Sequence, residues 1–500
     1  MRSFLKMSRR RFGAGLAAAC AFRAMAGPST CTESWPRWAT RLRTDLDRMA
    51  RDLTANAWRW HGPGRIIRPE DFGGRSAANE TATTAIQAAI EAAARQGGGT
   101  VLLSSGDYVS GTLDMRSNVR LEIARGARLL GSLNLADYPA RIAARPTIMD
   151  SNMRVTQSLI FAQDCENIGL CGAGQIDGRG SQEKFPGSET TGATPGRPFL
   201  IRVLDCKRVH VADLHLRDAA CWMQNYLNCE NLLVEGLTVE NQANFNNDGL
   251  DIDGCRRVIV RNCFINSEDD GLCFKGASQR PTEDVLVENC SLYSSCNALK
   301  FGTDSQGDFR RILVRNLEVG GPDARMRSMN RRLADSGVSW EVVDGGTAEQ
   351  ILVTRVNIVR AQSPLFMRLG DRGRTLPQQP KPPPGRLRRV VFDGITGRDN
   401  GTRGSFFLGI PDRGIEDVAI RDLRLEVGGS EAPAIAADSI GDMRADYPDT
   451  KMLGHIAPAY GLWTRHVQGL TLAHVRFSTS AHDSRPELDN TQDTSVVCVE

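Results

Sequence analysis

From Cys165 onward the chain repeats a short segment in which Val, Ile or Leu alternate with polar residues and a polar step follows. The copies read CENIGLCGAGQI from Cys165, CKRVHVADLHL from Cys206, CENLLVEGLTV from Cys229 and CRRVIVRNCFI from Cys255. They continue as TEDVLVENCSL from Thr282, FRRILVRNLEV from Phe309, AEQILVTRVNI from Ala348, LRRVVFDGITG from Leu387, IEDVAIRDLRL from Ile415 and VQGLTLAHVRF from Val467. A period of two marks strands with one buried face. The tightest copies begin 23, 26, 27 and 27 residues apart (Cys206 to Cys229, Cys229 to Cys255, Cys255 to Thr282, Thr282 to Phe309). Strands so short cannot bury a face alone, so successive copies must stack into a solenoid. A propeller blade takes roughly 40–45 residues, and no helical period intervenes here, so the pattern predicts an all-β parallel β-helix of about ten coils.

Two stretches break the period. Trp35 to Trp60 contains a charged, helix-like run (ATRLRTDLDRMARDL), and Thr81 to Arg95 (TATTAIQAAIEAAAR) is an Ala-rich helix that Gly97-Gly98-Gly99 stops. The second is expected to cap the open end of the solenoid, whose strand edges would otherwise be unpaired. Thr375 to Gly385, with five prolines, reads as a loop inserted between coils. The expected organisation is therefore an N-terminal helical extension at 27–66 followed by one β-helix over 67–500.

Residues 1–26 are read apart from the fold. Arg9-Arg10-Arg11 precedes a short apolar stretch from Phe12 to Phe22, and Ala24-Met25-Ala26 has the small-x-small form of a cleavage site. The Ser8-Arg9-Arg10-Arg11-Phe12 run resembles a twin-arginine address, so the mature protein is expected in the periplasm or outside the cell. Removal of this segment takes Cys20 with it. The other cysteines form no CxxC pair and no zinc-like spacing, which makes buried thiols the expectation.

Composition narrows the class further. Hydrophobic residues at 41% and charged ones at 24% exclude a mainly disordered chain. A net charge of +3 is too balanced to point to nucleic acid or an anionic membrane. No uncharged apolar run beyond the N-terminus is long enough to span a bilayer.

Aligned on their repeat starts, three segments fall in register: DGLDIDG from Asp248, DGLCFKG from Asp270 and NALKFGT from Asn297. Leu250/Ile252, Leu272/Phe274 and Leu299/Phe301 should point inward, while Asp248, Asp270 and Asn297 stack in one column, with Trp222 one coil earlier. Stacked strands lie about 4.8 Å apart, so Asp248, Asp270 and Asp269 must converge. Carboxylates that close repel one another, and at least one should hold its proton near neutrality. Such a proton beside an ionised neighbour suits acid–base cleavage of a glycosidic bond. The same residues also suit a calcium site or a purely structural Asn/Asp ladder.

Asn246-Asn247-Asp248-Gly249-Leu250-Asp251 followed by Ser267-Glu268-Asp269-Asp270-Gly271 resembles the Asn-Thr-Asp and Asp-Asp motifs of the family 28 glycoside hydrolases, the polygalacturonase and rhamnogalacturonase group. RPEDFGGRSAANETATTAIQAAIEAA, GGGTVLLSSGDYVSG and NVRLEIARGARLLGS extend the likeness, which covers roughly Arg68 to Arg476. The resemblance implies a right-handed helix and inverting hydrolysis of a pectin-type polysaccharide or oligosaccharide. Asp269 would be the general acid, with Asp248 and Asp270 positioning and deprotonating the water and Asn246 nearby. No cofactor or metal is implied.

Departures from the family pattern bear on the substrate. Where the family has Gly-His-Gly, this chain has Cys296-Asn297-Ala298, and no histidine lies between His215 and His455. Where it has Arg-Ile-Lys, this chain has Ser339-Trp340-Glu341. Glu341 in place of a cation argues against an ordinary galacturonate in that subsite, and Lys275, Lys300 or Arg368 is the expected alternative source of positive charge. Trp222 and Trp340 are candidates for stacking on a sugar, with core packing the favoured reading for Trp340; Tyr460 is a weaker binding candidate. Two rivals remain at this point: a calcium-dependent polysaccharide lyase on the same scaffold, and a non-catalytic glycan-binding solenoid. All three take a glycan partner, with no nucleic acid and no membrane after signal removal, and a monomer is the usual state.

Overall fold

In the computed structural model the described residues are 35–153, 156–187, 196–329, 331–454, 456–491 and 496–499. The expected signal segment at 1–26 lies outside them. The alternating segments form two parallel sheets, one of 22 strands and one of 12. Each strand pairs with its counterpart one turn on, as in Val209↔Leu232↔Val258↔Val285↔Ile312. The chain is thus a right-handed parallel β-helix. Twelve strands in one sheet exceed the ten repeats seen in sequence, because coils before Cys165 and at the C-terminal end lack the motif's clear alternation.

The third residue of each repeat explains the polar step at that position. Asn167, Arg208, Asn231, Arg257, Asp284, Arg311, Gln350, Arg389 and Asp417 all have φ between 53° and 60°. This left-handed residue is skipped in the ladder (Glu230 and Leu232 pair, Asn231 does not) and bends the chain into its strand. An outward-facing polar side chain is what a bent, unpaired residue tolerates.

The inner residues form one continuous core. Leu250, Ile252, Leu272, Phe274, Leu299, Phe301, Val338 and Trp340 have no solvent exposure, as the alternation predicts. Ring stacking adds order along the axis: Phe301 lies 4.9 Å from Phe274 and 5.1 Å from Trp340, with planes within 15°.

Both helices exist, in different roles. Helix α1 is Arg37–Ala55 and helix α2 is Thr83–Arg95. Ile86, Ala89, Ile90 and Ala93 of α2 are fully buried in the main core, which caps the first coils as expected. Helix α1 instead lies along the flank. Its stripe Ala39, Leu42, Leu46, Ala50 and Leu53, spaced for one helical face, packs on Leu233, Ile259, Leu286, Leu313, Leu352, Val391 and Ala419. Those seven form one outward column of consecutive coils. Arg43 to Asp393, Arg257 to Asp52 and Arg59 to Glu235 pin the helix segment at its edges.

Candidate functional site

Six strands of the twelve-stranded sheet build the site: β1 (Gln224–Leu227), β2 (Leu250–Asp253), β3 (Leu272–Gly276), β4 (Asn297–Ser305), β5 (Ala334–Val342) and β6 (Ala361–Leu369). Their register reads Leu250↔Leu272↔Leu299↔Val338, which stacks Asp248, Asp270, Asn297 and Ser336 in one column near the starts of the strands. Asn225↔Asp251 places Trp222 one coil before Asp248. The tight stacking depends on the glycine that follows each aspartate. A Cβ on Gly249 or Gly271 would sit 2.7 or 2.5 Å from a carbonyl oxygen of the next coil.

A cleft of about 380 Å³ opens over this column. Trp222, Asn246, Asp248, Asp269, Asp270, Lys275, Asn297, Lys300 and Glu341 all line it, so nine of the ten site residues expected from sequence converge. Arg368 does not. It neighbours Glu341 in register, but the segment around 440 folds over it. There it is buried, donating to the carbonyls of Gly409, Asp442 and Met443 at 3.3, 2.9 and 2.6 Å. Its role is to tie that segment down. Trp340 is core, Tyr460 packs half-buried against the core, and neither lines the cleft. Trp222 reaches the cleft but is only 5% exposed, stacked on Phe199 with Lys275 Nζ 4.5 Å from its ring centroid. It therefore offers a sugar little open ring face.

Lysines knit the carboxylates together. Lys275 Nζ lies 3.7 Å from Asp248, 3.2 Å from Asp251 and 3.9 Å from Asp270. Lys300 Nζ lies 3.1 Å from Asp270 and 3.5 Å from Glu341. Asn297 donates to Asp270 Oδ1 at 2.8 Å and accepts from Ser336 Oγ at 2.7 Å, so it holds Asp270 from the position of the family's histidine. Thr303 Oγ1 donates to Glu341 at 3.0 Å and lies 3.1 Å from the Tyr447 hydroxyl.

The aspartates diverge in proton affinity. Burial, then the charge of Asp270, pushes Asp269 up, while it stays the most open of the three. Asp270 is also pushed up by burial, but Lys300 and Lys275 with the Asn297 hydrogen bond outweigh this and hold it below the usual value. Burial and then Asp251 raise Asp248 well above the usual range. Asp251, Asp253 and Glu341 are each pushed up to about 7, first by burial. The cluster thus sets Asp270, whose proton affinity is lowered, beside the more open Asp269, whose proton affinity is raised.

Donor oxygens of Asp269 and Asp270 and the Cys296 thiol lie within 4.8 Å of one another, which a cation could bridge. Two ammonium groups within 4 Å of Asp270 already neutralise that side, and they make the donor set a poor one for calcium. The thiol, pushed up by burial, is protonated and a poor ligand.

Sequence reading missed one wall. Tyr447, Asp449 and Lys451 line the cleft from an irregular stretch between the strands Ile415–Val427 and Leu462–Arg465, which carries no repeat. Arg331 and Arg374 line it from the loops before Ala334–Val342 and after Ala361–Leu369. An aromatic-proline pair, Tyr447-Pro448, inside a non-repeating insertion was the only signal available.

Comparison with known proteins adds to this geometry. The profile of Glycosyl hydrolases family 28 matches residues 115–307, which contain all three aspartates. The chain is 26% identical over 215 residues to a probable polygalacturonase of Vitis vinifera, covering 41% of this chain and 43% of that one. It is 24% identical over 260 residues to an exo-poly-alpha-D-galacturonosidase of Dickeya chrysanthemi, covering 42% of each. The matches span less than half the length of either relative. In fold it is similar to the hyperthermoactive exopolygalacturonase of Thermotoga maritima, with a TM-score of 0.65 at 17% identity over 84% of this chain and 95% of that one. The Yersinia enterocolitica family 28 exopolygalacturonase gives 0.64 at 17% identity, over 87% and 78%.

Proposed function

We propose that this chain, which belongs to the glycosyl hydrolases of family 28 through residues 115–307, hydrolyses a pectin-type polysaccharide or oligosaccharide by acid–base catalysis. The observation that carries the reading is the split of proton affinity between adjacent Asp269 and Asp270 at the cleft floor. Asp269, half-buried and raised in proton affinity, gives its proton to the leaving glycosidic oxygen. Asp270, kept ionised by Lys300 and Lys275, takes a proton from the attacking water. Asp248, holding its own proton, orients that water instead of deprotonating it. Asn246 Nδ2, 3.5 Å from Asp269 Oδ2, steadies the acid.

Attack by water on the far side of the sugar gives inversion. One distance favours a second reading. The separation of at most 4.8 Å between Asp269 and Asp270 oxygens is nearer the roughly 5–5.5 Å of acid–nucleophile pairs than the roughly 6.5–9.5 Å that leaves room for a water. Asp270 as nucleophile would give retention. Its Asn297 and Lys300 partners, which tie up its oxygens, favour the base role.

The test is product analysis on polygalacturonan and rhamnogalacturonan, with and without chelator. New reducing ends that lack an ultraviolet-absorbing double bond and persist in chelator are expected. An unsaturated, calcium-dependent product would establish a lyase, and binding without turnover a glycan-binding solenoid. NMR of the first-formed anomer decides between inversion and retention. Asp269→Asn should lower kcat by about 10²–10⁴ with Tm unchanged; near-wild-type turnover would remove Asp269 from the mechanism. Export through residues 1–26 belongs to the same proposal. N-terminal sequencing of periplasmic protein should begin at Gly27, whereas an intact Met1 on cytoplasmic protein would overturn it.

A further inference from the structure

We propose that the flank carrying helix α1 holds a second binding groove, for an acidic polysaccharide, on the sheet that does not bear the aspartate cleft. The groove itself stands apart from the hydrolytic reading; the choice of a polyuronate among polyanions rests on that reading.

Helix α1 does more than cover its aliphatic column. A groove of about 560 Å³ runs between the helix and the coils beside it, lined by Arg37, Arg41 and Arg48 of the helix, Arg311 and Arg389 of the coils, and Trp38. With 3.6 residues per turn and 1.5 Å rise per residue, the three helix arginines fall within about 40° of one another and span about 16 Å. Register sets the facing row. Arg311, Gln350 and Arg389 are the bent, left-handed residues of three consecutive coils, so the outer two stand about 10 Å apart. Five guanidinium groups thus border a groove to which a single carboxylate, Asp45, contributes.

The helix side holds charge that the fold has not used. Arg43 of the same helix pairs with Asp393, but Arg37 and Arg41, both exposed, make no ion pair or hydrogen bond among the described residues. Arg48 lies 3.5 Å from Asp45 in an exposed pair that water screens. On the coil side Arg311 is held by Asp284 at 2.7 and 3.0 Å, and Arg389 lies 3.9 Å from Asp417.

A polyuronate matches this arrangement. It carries a carboxylate on each sugar, which successive guanidinium groups can grip in turn. Trp38, half-buried against the cluster under α1, offers ring surface to the C–H face of a pyranose. An anionic bilayer fits less well, because the apolar stripe of α1 is already buried on the coils and leaves nothing to insert. The chain's own N-terminal residues fail on charge: 1–26 carry six Lys and Arg and no acid, and 27–34 (GPSTCTES) bring one carboxylate.

The experiment is electrophoresis through gels containing polygalacturonan, with Asp269→Asn in every protein so that the polymer is not consumed. The parent should be retarded at about 0.02 M salt and released at about 0.5 M. Arg37→Gln/Arg41→Gln should weaken binding about fivefold, and Arg37→Lys/Arg41→Lys should restore most of it. The cleft is common to these proteins, so the difference reads the flank alone. Fully methyl-esterified polygalacturonan, the same backbone without its charge, should retard parent and glutamine variant equally. A glutamine variant of unchanged Tm that is retarded as strongly as its parent would overturn the site. So would capture by phosphatidylglycerol vesicles without retardation by polygalacturonan. If protein with Asp269 intact cleaves no pectin while the arginine-dependent retardation persists, the groove stands and the hydrolytic reading alone fails.

Discussion

The same coils present two outward columns that have gone opposite ways. On one sheet the outward column is Leu233, Ile259, Leu286, Leu313, Leu352, Val391 and Ala419, and helix α1 covers it. On the other it is Trp222, Asp248, Asp270, Asn297 and Ser336, and a cleft stays open above it. Both columns are stacked by the same inter-coil hydrogen bonds, such as Gly249 N–H to the Asp270 carbonyl and Gly271 N–H to the Asn297 carbonyl at 2.8 Å. Backbone pairing and the inner core therefore carry the coil, which leaves the outward residues free to differ. What an outward column must do is local. Aliphatic residues need a cover, and buried charges need partners.

The charged column is the more fragile if its pairing is broken. Lys275→Met removes the ammonium shared by Asp248, Asp251 and Asp270 and should cost about 3–5 kcal/mol, read as a lower denaturant midpoint. Retention of wild-type stability would show that the lysine is dispensable to the cluster. The aliphatic column should respond more mildly and without chemistry. Leu46→Ala or Leu313→Ala should cost about 2–4 kcal/mol by opening space under α1, with kcat unchanged. A fall in kcat would mean that the two faces are coupled through the core, against the independence argued above.

A smaller effect is the pH slope of stability. Asp251, Asp253 and Glu341 have folded pKa values near 7, above the unfolded carboxyl range of about 4. Each therefore binds its proton more tightly in the folded state, so its contribution is fully present below about pH 4 and is lost as pH rises through 7. Asp270 acts oppositely and more acidically: its folded pKa is depressed, so its contribution is lost as pH falls below the ordinary carboxyl range. Tm should drop as pH rises from about 4 through 7, and Asp253→Asn should flatten that drop by removing one titrating group. An unchanged slope would place the titration elsewhere.

Much of this was readable from the chain because a solenoid writes its register into its sequence. Once the repeats align, the stacking of Asp248, Asp270 and Asn297 and the inward Leu250/Leu272/Leu299 column follow from the period of two and a turn of about 25 residues, and the Ala-rich run that breaks the period gives the α2 cap. Three things did not. Helix α1 reads as a charged amphipathic run, and its buried stripe says nothing of whether it caps an end or lies on a flank. Arg368 shares its column with Glu341, and only the folding of the segment near 440 over it turns a candidate ligand into a structural tie. Tyr447, Asp449 and Lys451 lie outside any repeat, so no register assigns them to the cleft.

The stacking of the coils and the meeting of the carboxylates are written in the chain, since both depend on local alternation repeated at a fixed interval. Which of those carboxylates gain and which lose proton affinity, and which cations are already engaged, emerges only on folding. Those depend on burial and on distances of 3–4 Å between groups from different coils and insertions, which no spacing along the chain encodes.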